Sequence, residues 1–208
     1  MPGIPEPLAG VTTLAVRFAW TGDAVQGPAL IEPIATAAPV IFGGLGVMPG
    51  AALGMIHSDP VDPMPVHDEG ILLDALTPEA LDALLAVSGP ESDCPQVVVE
   101  LRLLGGRFTS RVDSAVSHRA APFSLLSIGI ASPPVVEATL ASAAAIMESV
   151  AAVTSGRSLV NFGASLGSTH ITRSYDPDAL QRLARIASAN DPRGVLPEAR
   201  ALVAAAGV

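Results

Sequence analysis

Four histidines, His57, His67, His118 and His170, are the side chains of this chain best suited to bind a metal or move a proton near neutral pH. None has a second His, Cys or Glu at the three- or four-residue spacing of a helical metal motif, so no metal site is expected. His67-Asp68-Glu69 follows a loop with prolines at 60, 63 and 65 and reads as a solvated charged turn. His118-Arg119 stands ahead of a strand, either as a polar strand-entry pair or as a pair facing a cleft. The stretch Gly163-Ala164-Ser165-Leu166-Gly167 sets glycine and serine near the spacing of a nucleophile elbow, and is discounted because no helix of the required kind is read after it.

Phosphate chemistry has little to work with. Gly44-Leu45-Gly46 is followed by Gly50, not by a third glycine at the dinucleotide spacing. All eleven basic residues are Arg, which removes both a Walker lysine and Schiff-base catalysis. Cys94, between Asp93 and Pro95, is the single cysteine, so no internal disulfide points to an oxidising compartment. The start of the chain, with prolines at 2, 5 and 7, has neither a basic nor an apolar leader region. Residues 1–10 read as an extension or linker, and the cytoplasm is the expected location.

Charge and composition narrow the classes further. The net charge is −9, and only 3% of residues are aromatic, so both the phosphate attraction and the stacking platforms of a nucleic-acid binder are lacking. The balance is uneven: thirteen acids face Arg17 alone up to residue 100, and seven acids face ten Arg beyond it. Half the residues are hydrophobic and 15% charged, a composition that folds. The Ala-rich run from Val135 to Val153 contains Glu137 and Glu148, so it reads as a soluble helix and no membrane association is expected.

The elements that must position these residues alternate between periods of two and of about 3.6. Strands are predicted over Thr12–Phe18, Pro39–Phe42, Ile71–Leu73, Gln96–Leu104, Ser124–Ala131 and Leu159–Phe162. Gly105-Gly106 predicts a hairpin-type turn into Arg107–Thr109. Helices are predicted over 24–38, over a short stretch from Met48 to Leu53, over 77–87, over the Ala-rich run, and over Asp176–Ala189, where Asn190-Asp191-Pro192 stops the last. The fold class is α+β, a mainly antiparallel sheet covered by helices on one side, in a single domain over 11–208.

The C-terminal stretch resembles the end of FAD-linked oxidases of the berberine bridge enzyme type. It runs Leu159-Val160-Asn161-Phe162, Tyr175, Arg182-Leu183, then Asn190-Asp191-Pro192-Arg193-Gly194-Val195-Leu196. In that family a Tyr-x-Asn-Phe/Tyr strand precedes a helix with an Arg-Leu pair and a Tyr-Asp-Pro-x-Asn-x-Phe turn. Gly22-Asp23, Met48-Pro49, the Glu100–Gly106 strand and turn, and His118-Arg119 follow the family's substrate domain in order, so the likeness covers nearly the whole chain.

The resemblance implies a sheet that roofs the flavin ring and forms the substrate pocket, with FAD held by a flavin-binding domain that has no counterpart in these residues. On that reading the chain is a fragment, a subunit needing a flavin-domain partner, or a protein working without flavin. Asn161 matches the family's flavin-contacting Asn, although an Asn beside Gly163 also suits a turn. His118, Arg119 and Tyr175 become candidate lining of a pocket for a small organic substrate. The family's tyrosine falls on Leu159, which cannot move a proton, and Gly194, Leu196 and Ala199 depart from its closing turn. No catalytic residue is therefore assigned. Two functions follow: the substrate-binding half of an FAD-dependent oxidoreductase, or a flavin-free small-molecule binder or non-redox enzyme derived from it. Self-association through the face that would meet a flavin domain is also expected.

Overall fold

The computed structural model describes residues 10–56, 62–110, 112–163 and 167–207. His57, Arg111 and Ala164-Ser165-Leu166, the middle of the Gly-x-Ser-x-Gly stretch, lie outside them. Contacts divide the chain into two units, Met1–Pro63 and Met64–Val208, a boundary inside the span read as one domain.

In the first unit the described residues form one α-helix, α1 (Gly27–Ala35), with Pro28 at its start and Pro33 inside it. Asp23 organises the approach: its carbonyl accepts from Trp20 Nε1 at 2.9 Å, and its carboxylate accepts from the Val25 N–H at 3.0 Å. A 3₁₀ turn spans Gly50–Met55 where the sequence predicts a short helix. The predicted strands Thr12–Phe18 and Pro39–Phe42 do not form, and no ladder joins them across α1. A strand, unlike a helix, needs a partner for its backbone groups, and neither segment has one among the described residues. Among the described residues of this unit only Gly27 and Ile31 are buried, while Leu14 is 92% exposed.

The second unit is built on an antiparallel sheet of β1 (Val66–Leu73), β2 (Gln96–Leu103) and β3 (Phe123–Ile130) in the order β1-β3-β2. β3 holds the middle, pairing Leu125 with Ile71 on one side and Leu101 on the other. Alternation then divides the side chains. Ile71, Leu73, Leu125, Val99 and Leu101 point to one face. They meet α2 (Pro78–Ser88) through Leu84 and α3 (Val136–Ser149) through Ile146, with Val150 just beyond. The fold is α+β, an antiparallel sheet covered by helices on one side, as the sequence predicts.

Local chemistry fixes the two covering helices. Thr77 caps α2, its hydroxyl accepting from the Ala80 N–H at 3.2 Å. In α3 the buried residues Thr139, Ala143 and Ile146 fall at helical spacing and make one apolar stripe. Gly129 lets this stripe approach, because a Cβ there would stand 2.6 Å from Thr139 Cγ2.

Several local expectations yield to long-range pairing. His67-Asp68-Glu69 is part of β1, not a turn, because register with β3 continues through Val66 opposite Ile130. After Gly105-Gly106 the chain makes a 3₁₀ turn over Gly106–Thr109, and β2 pairs with β3 instead of forming a hairpin. Leu159–Phe162 is turn-rich and not a strand; it belongs to a strap over 153–163, which beyond it makes an isolated bridge from Gly163 to Glu69. Beyond it lie α4 (Ser168–Ser174), α5 (Pro177–Asn190) and α6 (Pro197–Ala206), which pack on one another; α4 and α6 were not predicted. Among the described residues no helix is long and apolar enough to cross a membrane.

Candidate functional site

The sheet face opposite α2 and α3 carries Asp68, Gly70 and Leu72 from β1, Ser124, Leu126 and Ile128 from β3, and Val98, Glu100 and Arg102 from β2. Its cover is the strap. Residues 153–157 run along the free edge of β1, where Leu72 N–H donates to Arg157 O and Asp74 N–H to Val153 O, each at 2.8 Å. Thr154 Oγ1 donates to Leu72 O at 2.6 Å. At Ser158 the strap is tied to α4: its N–H donates to Arg173 O at 3.1 Å, and its buried hydroxyl lies 3.2 Å from Ser174 Oγ. His170 Nε2 is 3.2 Å from Val160 O. The chain then turns, with Phe162 N–H donating to Leu159 O.

Phe162 lies against the sheet because Gly70 has no side chain; a Cβ there would stand 2.9 Å from Phe162 O. Beneath it remains a void of about 10 Å³, lined by Gly70, Leu72, Ser124, Leu126, Leu159 and Phe162 and large enough for about one water. On the far side, Arg102 stacks over the Phe162 ring at 5.2 Å while its Nε and terminal nitrogen donate to Glu100 Oε1 at 2.7 and 2.6 Å. Asn161 is exposed on the strap next to this cluster, and Leu159 points into the void.

His118 belongs to a second, polar site. Its ring is 5% exposed; Nε2 donates to Arg173 O at 3.0 Å, and Nδ1 lies 3.4 Å from Asp176 Oδ1 without the alignment of a hydrogen bond. The backbone of His118 is left-handed, φ +58, a conformation that a non-glycine residue adopts only when its surroundings hold it. They do: Asp176, at the start of α5, donates its N–H to Ser117 Oγ at 2.9 Å. Beside the ring opens a cavity of about 90 Å³, space for several waters, lined by Leu72, Asp74, His118, Ala120, Ala121, Ser155 and Arg157. Leu72 thus floors both the void under the strap and this cavity.

The other candidates take different places. Tyr175 ends α4 next to Asp176, half-buried, and burial raises its phenol above the usual tyrosine range. Arg119 does not line the cavity: it stacks on Phe108 at 5.0 Å and donates from Nε to Ser110 O at 3.1 Å, clamping the 3₁₀ turn. Sequence reasoning missed Asp74, Ser155 and Arg157, which gather only because residues 153–157 run beside β1. Gly163 to Gly167 does fulfil Gly-x-Ser-x-Gly letter for letter, but its serine lies outside the described residues. Among the described residues no three His, Cys, Asp or Glu side chains gather as a metal requires.

Compared with known protein families and with curated proteins, the sequence matches none.

Proposed function

We propose that this chain is the substrate-binding half of an FAD-dependent oxidoreductase of the berberine bridge enzyme type, acting on a small organic molecule beside a flavin held by a separate flavin-binding domain. The strap carries the reading: the segment whose residues resemble the family lies across the helix-free sheet face and presents Asn161 to solvent beside Phe162 and Arg102. An exposed amide next to a stacked aromatic and guanidinium fits the polar edge and flat face of an isoalloxazine ring. Asn161 would hold that edge, and Phe162 with Arg102 would support the ring. The flavin, when bound, supplies acceptance of two electrons from the substrate. Leu159 lines the void under the strap and moves no proton. His118, with Asp74 and Arg157, would orient polar groups of the substrate in the adjoining cavity.

Flavin fluorescence tests this on the purified chain. Added flavin is expected to be quenched, with affinity falling roughly tenfold in Asn161→Ala, the loss of one hydrogen bond to the ring. Equal quenching in the variant would remove Asn161 from the flavin site, and no quenching would show that this chain holds no flavin without a flavin-domain partner. One observation favours a second reading, a flavin-free small-molecule binder: the apolar Leu159 where the family has its phenol, beside a separate polar cavity lined by Asp74, His118 and Arg157. Ligand binding at His118 with no flavin binding would establish it.

A further inference from the structure

β2 is the outer strand of the sheet, and its two sides are unlike. Leu104 N–H donates to Pro122 O at 2.8 Å, and the register continues with Arg102 opposite Ser124 and Glu100 opposite Leu126. In an antiparallel ladder, residues bonded to one neighbour alternate with residues whose N–H and C=O face the other way. The even-numbered residues from Val98 to Leu104 therefore address β3, and Val99, Leu101 and Leu103 turn their backbone groups outward, where no described residue bonds them. The opposite edge of the sheet is occupied: residues 153–157 and Gly163 bond β1. The outer edge of β2 has few of the usual protections beyond the charges of Glu100 and Arg102. It has no proline and no lysine, and its one irregularity lies at the start, between Gln96 and Val98. Leu103, at its end, is 76% exposed.

We propose that this edge docks a second copy of itself, two β2 strands pairing antiparallel about a twofold axis at Leu101 and joining the two sheets into one. The charges select that register. Glu100 and Arg102 lie two residues apart on one face, so with Leu101 opposite the partner's Leu101, Glu100 meets the partner's Arg102 and Arg102 meets the partner's Glu100. Sliding by two residues either way puts glutamate opposite glutamate or arginine opposite arginine. Sliding by one sets outward backbone groups against inward ones. In the chosen register Val99, Leu101 and Leu103 exchange backbone hydrogen bonds with their counterparts, and Val99 covers the partner's Leu103. This dimer does not depend on the flavin reading, and it draws its charge pairs from Glu100 and Arg102 at the rim of the strap face.

Sedimentation equilibrium on the full chain tests it. The wild type is expected to be a dimer. Glu100→Arg makes the edge all basic and Arg102→Glu makes it all acidic, so each alone weakens the dimer by roughly tenfold or more while far-UV circular dichroism shows the fold retained. An equimolar mixture of the two folded variants restores the dimer, since each supplies the charge the other lacks, and the double swap in one chain restores it too. A monomeric wild type, a dimer indifferent to both reversals, or folded variants whose mixture stays monomeric would each overturn the proposal.

Discussion

The Arg102 guanidinium lies over the Phe162 ring at 5.2 Å, and this contact closes the strap across the sheet from the edge opposite its attachment at β1. Removing the ring uncovers Leu72 and Gly70. Phe162→Ala is expected to destabilise the second unit by about 1–3 kcal/mol, from lost apolar burial and the cation–π contact, while Phe162→Leu recovers most of the burial part. Urea denaturation of both variants measures the difference. Amide exchange at Leu72 should rise in the alanine variant first.

Leu125 is fully buried at the centre of β3, within the cluster of Ile71, Leu73, Leu84 and Ile146. Leu125→Ala should cost about 2–5 kcal/mol, from lost transfer free energy and the cavity left behind. The check is a lower denaturation midpoint with an unchanged slope.

Thr77 is the one side chain that caps α2. Thr77→Ala should lower stability by about 1 kcal/mol, and Thr77→Ser or Thr77→Asp should restore it. Thermal melts of the three variants decide this. Glu79, in the same first turn, has its carboxyl held below the usual range by its backbone amide and by Thr77, so the alanine variant should let it rise.

Asp191 accepts from the Val195 and Leu196 N–H groups, each at 2.8 Å, and these bonds hold its carboxyl below the usual aspartate range. A carboxyl depressed in the folded state stabilises the fold above its ordinary titration range, and that contribution is lost as pH falls through the lower folded value. The turn between α5 and α6 is therefore expected to stay closed through mildly acidic pH and loosen below the range where aspartates ordinarily titrate. The amide shifts of Val195 and Leu196, followed against pH, report it; Asp191→Asn should abolish the transition.

Where local chemistry decides structure, the sequence is legible. Thr77-Pro78-Glu79 marks the start of α2, and Asn190-Asp191-Pro192 marks the end of α5. The valine-rich run of β2 and the apolar run of β3 are equally plain. Where distant pairing decides, it is not. Polar His67-Asp68-Glu69 is drawn into β1 by β3, and Thr12–Phe18, whose alternation suits a strand, has no partner among the described residues to make it one. The site divides the same way. His118 and Asn161 stand out by type, whereas Arg119 proves to be a clamp on a 3₁₀ turn. Asp74, Ser155 and Arg157 become neighbours only through the hydrogen bonds along β1.

Docking of a flavin ring on the strap face is open to direct test by mapping riboflavin onto the full chain with amide chemical shifts. Shifts are expected to cluster on Glu100, Arg102, Ser124 and Asn161 to Gly163, and to be reduced in Asn161→Ala. Shifts confined to the α2 and α3 side or to the His118 cavity would contradict it.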